Sequence, residues 1–386
     1  MRLLAPDGQA SRSRANRSDG GGARGRENCI RTYSIREVPA LRLALVPLVL
    51  SLFSTLVASA SAAPTPLAPR VLVVVAFADD GVSAPTEEAA PWVEREGLDV
   101  RIRTAAAVSL RCNAARTVCL LISGEGKVNA VASLLSLGLD PGVDLRRTYV
   151  IVSGIGGVSP ETGTIGTAAW ATWIVDYDIA HEMDARELPA SFPDARFQQG
   201  CFTGTWCGKD GWRTGTEVFE LDPRATRFAY GLTKSVALDD PPFLAKIRAP
   251  YPEAIARAKP HVERCDILGG DTYWVGTRIG NFSRAWMKHW TNGAGTYCMT
   301  AMEDTGYAGT MKKLAAVGRV DYHRFFELRA GSDFDRPHAG QTAIEVLRAG
   351  ITAGTFPIAV NNAYLTSRVV ERYLAAHWAT LQNGLP

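Results

Sequence analysis

Across 386 residues, 42 Lys and Arg stand against 39 Asp and Glu, a formal net charge of +3. Residues 1–62 hold nine Arg and four acids, so the remainder carries 33 bases, 35 acids and a net charge of −2. A near-neutral body excludes nucleic-acid binding through bulk charge, and beyond the leader no run of about 20 apolar residues offers a transmembrane path.

The chain opens on an Arg-, Ser- and Gly-rich stretch, residues 1–36, followed by Leu41-Arg42 and the almost uncharged run Leu43 to Ala58. That run is short, punctuated by Pro and Ser, and ends in Ala58-Ser59-Ala60 and Ala60-Ser61-Ala62, the small-x-small pattern of an export cleavage site. Residues 1–62 therefore read as a signal peptide with a long basic front, with a retained single-pass anchor as the alternative. The rest reads as a secreted or extracytoplasmic protein. Beyond the leader lie Cys112, Cys119, Cys201, Cys207, Cys265 and Cys298, which allow 15 pairings that sequence alone does not resolve. Short separations favour Cys112 with Cys119 and Cys201 with Cys207, leaving Cys265 with Cys298. No CxxC occurs and His is sparse, so no metal site is expected.

Residues 63–386 predict one α/β domain. Val71 to Phe77 is an apolar, β-branched run suited to a strand covered on both faces. Thr117 to Ser123 is a second strand, running through Gly124-Glu125-Gly126 into a helix over Lys127 to Leu137. Thr148 to Ser153 is a third, ending in Gly154-Ile155-Gly156-Gly157. Strand, Gly turn and helix in repeated order place ligand groups beyond strand ends, although neither Gly turn has dinucleotide or phosphate-loop spacing. Residues 198–260 are irregular and read as a surface insertion, a candidate active-site wall. Order resumes at Asp266 to Asp271; a helix is expected over Thr296 to Ala315, a strand around Phe326 to Arg329, and an amphipathic packing helix over Ala363 to Trp378.

Five segments in order, Gly124 to Ala130, Val152 to Gly157, Gly270-Asp271-Thr272-Tyr273, Met302-Glu303-Asp304 and Arg329-Ala330-Gly331-Ser332-Asp333, resemble the purine nucleoside permease-like family. That family is similar to a divergent branch of the nucleoside phosphorylase and nucleosidase fold. The resemblance implies a nucleoside phosphorylase-like mixed central sheet flanked by helices, and cleavage of the N-glycosidic bond of purine nucleosides rather than transport. It implies that Asp333 approaches the base and assists its departure, with Asp335 a competing choice. By the same resemblance Glu303 binds ribose hydroxyls beside Met302, and Glu88 orients or activates water, with Asp80 and Glu87 in competition. Tyr273 contacts the base, with Trp274 able to exchange roles.

Such a site makes chemical sense, because the leaving base gathers negative charge while the sugar becomes cationic. Ser153, Gly154 and Gly156 are expected to shape the substrate floor, their backbone donors mattering more than glycine identity. Lys127 and Arg329 are the candidates for holding inorganic phosphate as co-substrate; no recognisable arginine clamp accompanies them, so water is the favoured acceptor. No organic cofactor is implied. Phosphorolysis and an extracytoplasmic nucleoside-binding role in uptake are the alternatives. Related folds often build homo-oligomers, but this sequence gives no independent count of subunits.

Overall fold

The computed structural model describes residues 65–78, 84, 87–203 and 206–386. The signal-peptide reading and Asp80 lie outside the described residues. Strand β1 (Val71–Val75) is solidly apolar because it divides its side chains between two cores. Val71, Val73 and Val75 enter one, Leu72 and Val74 the other, so no residue on it is left facing water. Helix α1 (Ala90–Arg95) starts with Pro91 in its first turn and buries Trp92. Strands β2 (Val100–Arg103) and β3 (Ser109–Cys112) form the antiparallel edge, and β4 (Val118–Ile122) runs parallel to β1. Helix α2 (Gly126–Leu139) then leads to β5 (Tyr149–Val158).

The middle of the chain supplies β6 (Ala168–Trp170), β7 (Trp173–Asp176), the small pair β8 (His181–Glu182) and β9 (Arg196–Phe197), β10 (Val218–Glu220), and helices α3 (Pro223–Thr233), α4 (Pro242–Arg248) and α5 (Ala254–Arg257). Next come β11 (Val262–Arg264), β12 (Asp266–Gly269), α6 (Thr277–Trp290), β13 (Tyr297–Ala301), α7 (Asp304–Ala316) and β14 (Phe325–Phe334). Helices α8 (Ala343–Thr352), α9 (Thr355–Ala376) and α10 (Trp378–Leu381) close the chain.

Twelve of these strands make one mixed sheet with the path β10-β7-β12-β13-β5-β1-β4-β3-β2, while β14 bridges β5 and β6, and β11 pairs with β6. Helices α2 and α7 cover one face, packed closely enough that a Cβ on Gly138 would come within 2.3 Å of Leu314. Helix α9 covers the other, burying Val360, Tyr364, Val370 and Leu374 against Val71, Val73 and Leu328. Among the described residues no single helix is long and apolar enough to cross a membrane. Among the described residues the disulfides are Cys112–Cys119, Cys201–Cys207 and Cys265–Cys298, the pairing that sequence separation favours.

Three expectations are corrected. The third strand does not stop at Ser153; β5 continues through the Gly run to Val158, paired along its length with β14. Thr296 to Ala315 is not one helix, because Tyr297–Ala301 is a strand lying parallel to β12 and only Asp304–Ala316 is helical. A strand buried on both faces shows no alternation, and sheet pairing here overrides the helix preference of Met and Ala. The region 198–260 is no detached insertion: β10 extends the main sheet and α3 packs in the core through Ala225 and Ala229.

Candidate functional site

Strand β5 outruns its neighbour β1. Tyr149 pairs with Val71, but the last residues of β5 have no partner on that side, and a cavity of about 210 Å³ opens in the space this leaves. It sits at the C-terminal ends of parallel strands, as the sheet topology favours. Ala76 and Phe77 after β1, Ile155, Gly156 and Gly157 in β5, Thr272, Tyr273 and Trp274 after β12, Thr300 to Glu303 at the end of β13, Arg329 and Ser332 in β14, and Phe356 in α9 line it, together with Glu88 and Glu125. No described residue of 198–260 does, so that region is not the expected wall.

Glu88 is buried just before α1. Its two carboxylate oxygens accept the N–H groups of Ala76 and Ile155, both at 2.7 Å. Burial pushes its pKa up to about 7; Arg329, 3.6 Å away, pulls it down and Glu303 raises it further. Glu303 stands at the N-terminus of α7, where one oxygen accepts the Gly126 N–H and the other accepts from Arg329, each at 2.9 Å. Burial holds its pKa above the ordinary carboxylate range, Arg329 opposing. Met302 lines the cavity beside it.

Asp333 is buried in β14, its carboxylate accepting the Tyr273 hydroxyl at 2.7 Å and the Ser332 hydroxyl at 2.8 Å. Its pKa is raised by burial, and both hydroxyl bonds resist that rise. Contrary to expectation, Asp333 does not line this cavity; it lines a separate, smaller one of about 30 Å³ with Tyr251 and Gly350, and connects to the first through its bonds to Tyr273 and Ser332. The competitor Asp335 is taken up elsewhere, by the Tyr297 hydroxyl and the Arg336 guanidinium. Glu87 does not line the cavity. Trp274 is part of the wall, stacked on Tyr177 with 5.8 Å between ring centroids.

Both cations proposed for phosphate are already engaged. Lys127 is absent from the lining and its ammonium lies 3.2 Å from Asp176 and 2.7 Å from Asp178. Arg329 is buried among Glu88, Glu303, Asp304 and Glu327, at 3.6, 2.9, 3.1 and 3.8 Å. Burial works against the guanidinium charge, but the acids, Asp304 foremost, outweigh it and hold the pKa above its ordinary value. Neither cation is presented to an incoming dianion.

The floor also differs from expectation. Of the three expected floor residues only Gly156 lines the cavity; Gly154 does not, and Ser153 instead pairs its hydroxyl with Ser367 of α9 at 2.9 Å. Glycine identity matters at the other two positions. A Cβ on Gly154 would lie 2.2 Å from an Arg329 nitrogen, and one on Gly156 would lie 1.8 Å from the Thr300 carbonyl oxygen. Glycine in a strand commonly marks such an approach.

Motif reading overlooked Thr300, whose hydroxyl oxygen accepts the Gly157 N–H at 2.9 Å, the aromatic lining residues Phe77 and Phe356, and the buried acids Asp304 and Glu327. The acids had a signal: Glu327 and Arg329 interrupt the otherwise apolar run Phe325 to Ala330, where a charged side chain needs a buried partner.

Fold and site together define a mixed α/β protein with an acid-lined cavity at the ends of its parallel strands. The profile of the purine nucleoside permease (NUP) family matches residues 68–386, and the chain belongs to that family. A protein of Schizosaccharomyces pombe described as a probable purine nucleoside permease is 31% identical over 276 residues, 70% of this chain and 79% of the relative. A purine nucleoside permease of Candida albicans is 34% identical over 245 residues, 61% of this chain and 59% of its own length. Among solved structures, futalosine hydrolase of Helicobacter pylori aligns with a TM-score of 0.49 and 16% identity, covering 79% of this chain and 98% of that one. The 5'-methylthioadenosine/S-adenosylhomocysteine nucleosidase of the same organism aligns at 0.47 and 16%, with coverage of 79% and 98%.

Proposed function

We propose that this protein binds purine nucleosides in the cavity and cleaves their N-glycosidic bond, with water as the acceptor. The observation that carries the reading is the division of labour among its buried acids. Glu88, held by two backbone N–H groups and poised to titrate near 7, suits a base that takes a proton from water. Glu303 retains lone pairs for ribose hydroxyls while Arg329 fixes its plane. Asp333, raised by burial, suits a relay in which the Tyr273 hydroxyl gives its proton to the departing base and takes one in turn from protonated Asp333. Tyr273 and Trp274 offer aromatic faces to a purine. The membership in a purine nucleoside permease family supports the substrate class.

Water is preferred to phosphate because the cavity wall presents Glu88, Glu125 and Glu303, whereas Arg329 is enclosed by acids. The test is to incubate the purified protein with purine nucleosides, with and without inorganic phosphate, and to quantify free base, ribose and ribose 1-phosphate. Base and free ribose in equal amounts, independent of phosphate, is the expected result. Phosphate-dependent ribose 1-phosphate would reassign the acceptor, and tight binding with no base released would replace the enzyme by a binding protein.

A further inference from the structure

The Arg329 cluster contains more negative charge than it can hold. Four carboxyl groups, all buried, lie within 4 Å of one guanidinium. With every one ionised the cluster would carry a net charge of about −3 away from water, which burial strongly disfavours. The four are unequally provided for. Glu88 accepts two backbone N–H groups, and Glu303 accepts one backbone N–H and one from Arg329. Asp304 accepts from Arg329 through Oδ1, but among the described residues its Oδ2 has no donor, and neither oxygen of Glu327 has one. The three orphaned oxygens belong to two carboxyl groups that converge on one atom, Arg329 Nε, at 3.1 Å for Asp304 and 3.8 Å for Glu327, in an interior where nearly all polar atoms are paired.

One proton removes most of that deficit. We infer that Glu327 is a permanently protonated positioning residue whose O–H donates to Asp304 Oδ2, fixing Asp304 and, through it, the Arg329 fork that aligns Glu303 and Glu88. The inference rests on the nucleoside-cleaving reading for its functional consequence but not for the proton itself. The groups facing Glu327 leave it no other source of a donor. Asp304 and Glu303 come from the start of α7 and only accept, while Arg329, on the same strand, has its nearest nitrogen 3.8 Å away. Tyr322, which feels the charge of Glu327 and of Glu220, carries the other nearby O–H, and its buried hydroxyl is out of hydrogen-bond reach of any partner among the described residues. Residence of the proton on Glu327 rather than Glu303 follows from the donors counted above, because hydrogen bonds to a carboxylate favour its ionised form.

Infrared difference spectroscopy of the full-length protein, recorded above the Glu88 transition, tests this without requiring turnover. Wild type minus Glu327→Gln should show a protonated-carboxyl band that the variant lacks, and in Asp304→Asn the band should persist but move, because its acceptor has changed. Superimposable protonated-carboxyl regions for wild type and Glu327→Gln, or loss of an ionised carboxylate band instead, would overturn the inference. The amide of Glu327→Gln donates as the acid does, so cleavage should stay within about twofold of wild type. Glu327→Leu, which has no donor, should lose about tenfold in kcat/KM, the equivalent of one hydrogen bond. A tenfold loss in Glu327→Gln would equally overturn the positioning role. Should no variant, nor the wild type, cleave a nucleoside while the band behaves as stated, the functional reading fails and the proton remains.

Discussion

Glu88 shows how one carboxyl is set between two demands. Two backbone N–H groups and Arg329 favour its ionised form, and burial with Glu303 nearby favours the neutral one; burial is the largest and the balance lies at about 7. If Glu88 accepts the proton of water, it works only when ionised, so kcat should rise with pH through about 7 and level above it. Glu88→Gln should lower kcat by about 100-fold or more and abolish that rising limb. A pH–rate profile of the variant that keeps the limb at the same position would assign it to another group. Short motifs marked Glu88, Glu303, Met302, Tyr273, Trp274 and Gly156, and the cavity gathers all six. Arg329 was equally visible, but as a phosphate ligand. Glu327 is its neighbour on β14, but Glu88, Glu303 and Asp304 come from two other segments of chain, and only folding brings them to it.

Among the elements, those whose pattern records one environment were legible. β1, β4 and α2 appear within two residues of their expected bounds, because each is bracketed by turn residues and carries one unbroken apolar or helical pattern. β5 and β13 were not, since their residues answer to neighbours distant in sequence. The Gly run of β5 reads as a turn until the Thr300 carbonyl of β13 is seen against it. That contact predicts an asymmetry between glycines. Gly156→Ala pushes a methyl into a backbone oxygen 1.8 Å away, and neither strand is free to retreat; it should destabilise the fold by about 3 kcal/mol. Gly231→Ala, in α3 with no atom within 4 Å of the new methyl, should instead stabilise by about 0.5–1 kcal/mol. Denaturant midpoints of the two variants measure both, and a Gly156→Ala midpoint equal to wild type would refute the close approach.

For the molecule as a whole, alternation of strand and helix disclosed an α/β fold but not the strand order. Pairings such as β12 beside β7 and β14 across β5 and β6 depend on side chains far apart in the chain. Another global property follows from how many acids this topology buries. Glu88 and Glu371 are raised from 4.5 to about 7, in each case mainly by burial. Glu303, Asp333, Asp335, Asp176 and Asp266 are raised as well, again chiefly by burial. In the unfolded chain the glutamates lose their protons near 4.5 and the aspartates near 3.8, whereas the folded chain keeps those of Glu88 and Glu371 until about 7. Between these limits the native state binds more protons, so stability is greatest below the window and falls as pH rises through it. A shift of this size at fully buried Glu88 is worth about 3 kcal/mol, and less at the more exposed Glu371. Asp144 and Asp222, depressed to about 2 chiefly by hydrogen bonds from Arg146 and Arg224, have their stabilising effect complete before the window opens. His261, raised through Glu263, adds to the fall, and His289, lowered by burial, opposes it. The thermal midpoint of the disulfide-bonded protein should therefore drop by about 5 °C or more from the acid to the neutral end of this window. A midpoint that climbs instead would mean that the buried acids are charged and fully paired in the native state, contradicting both the titration assigned to Glu88 and the surplus of negative charge around Arg329.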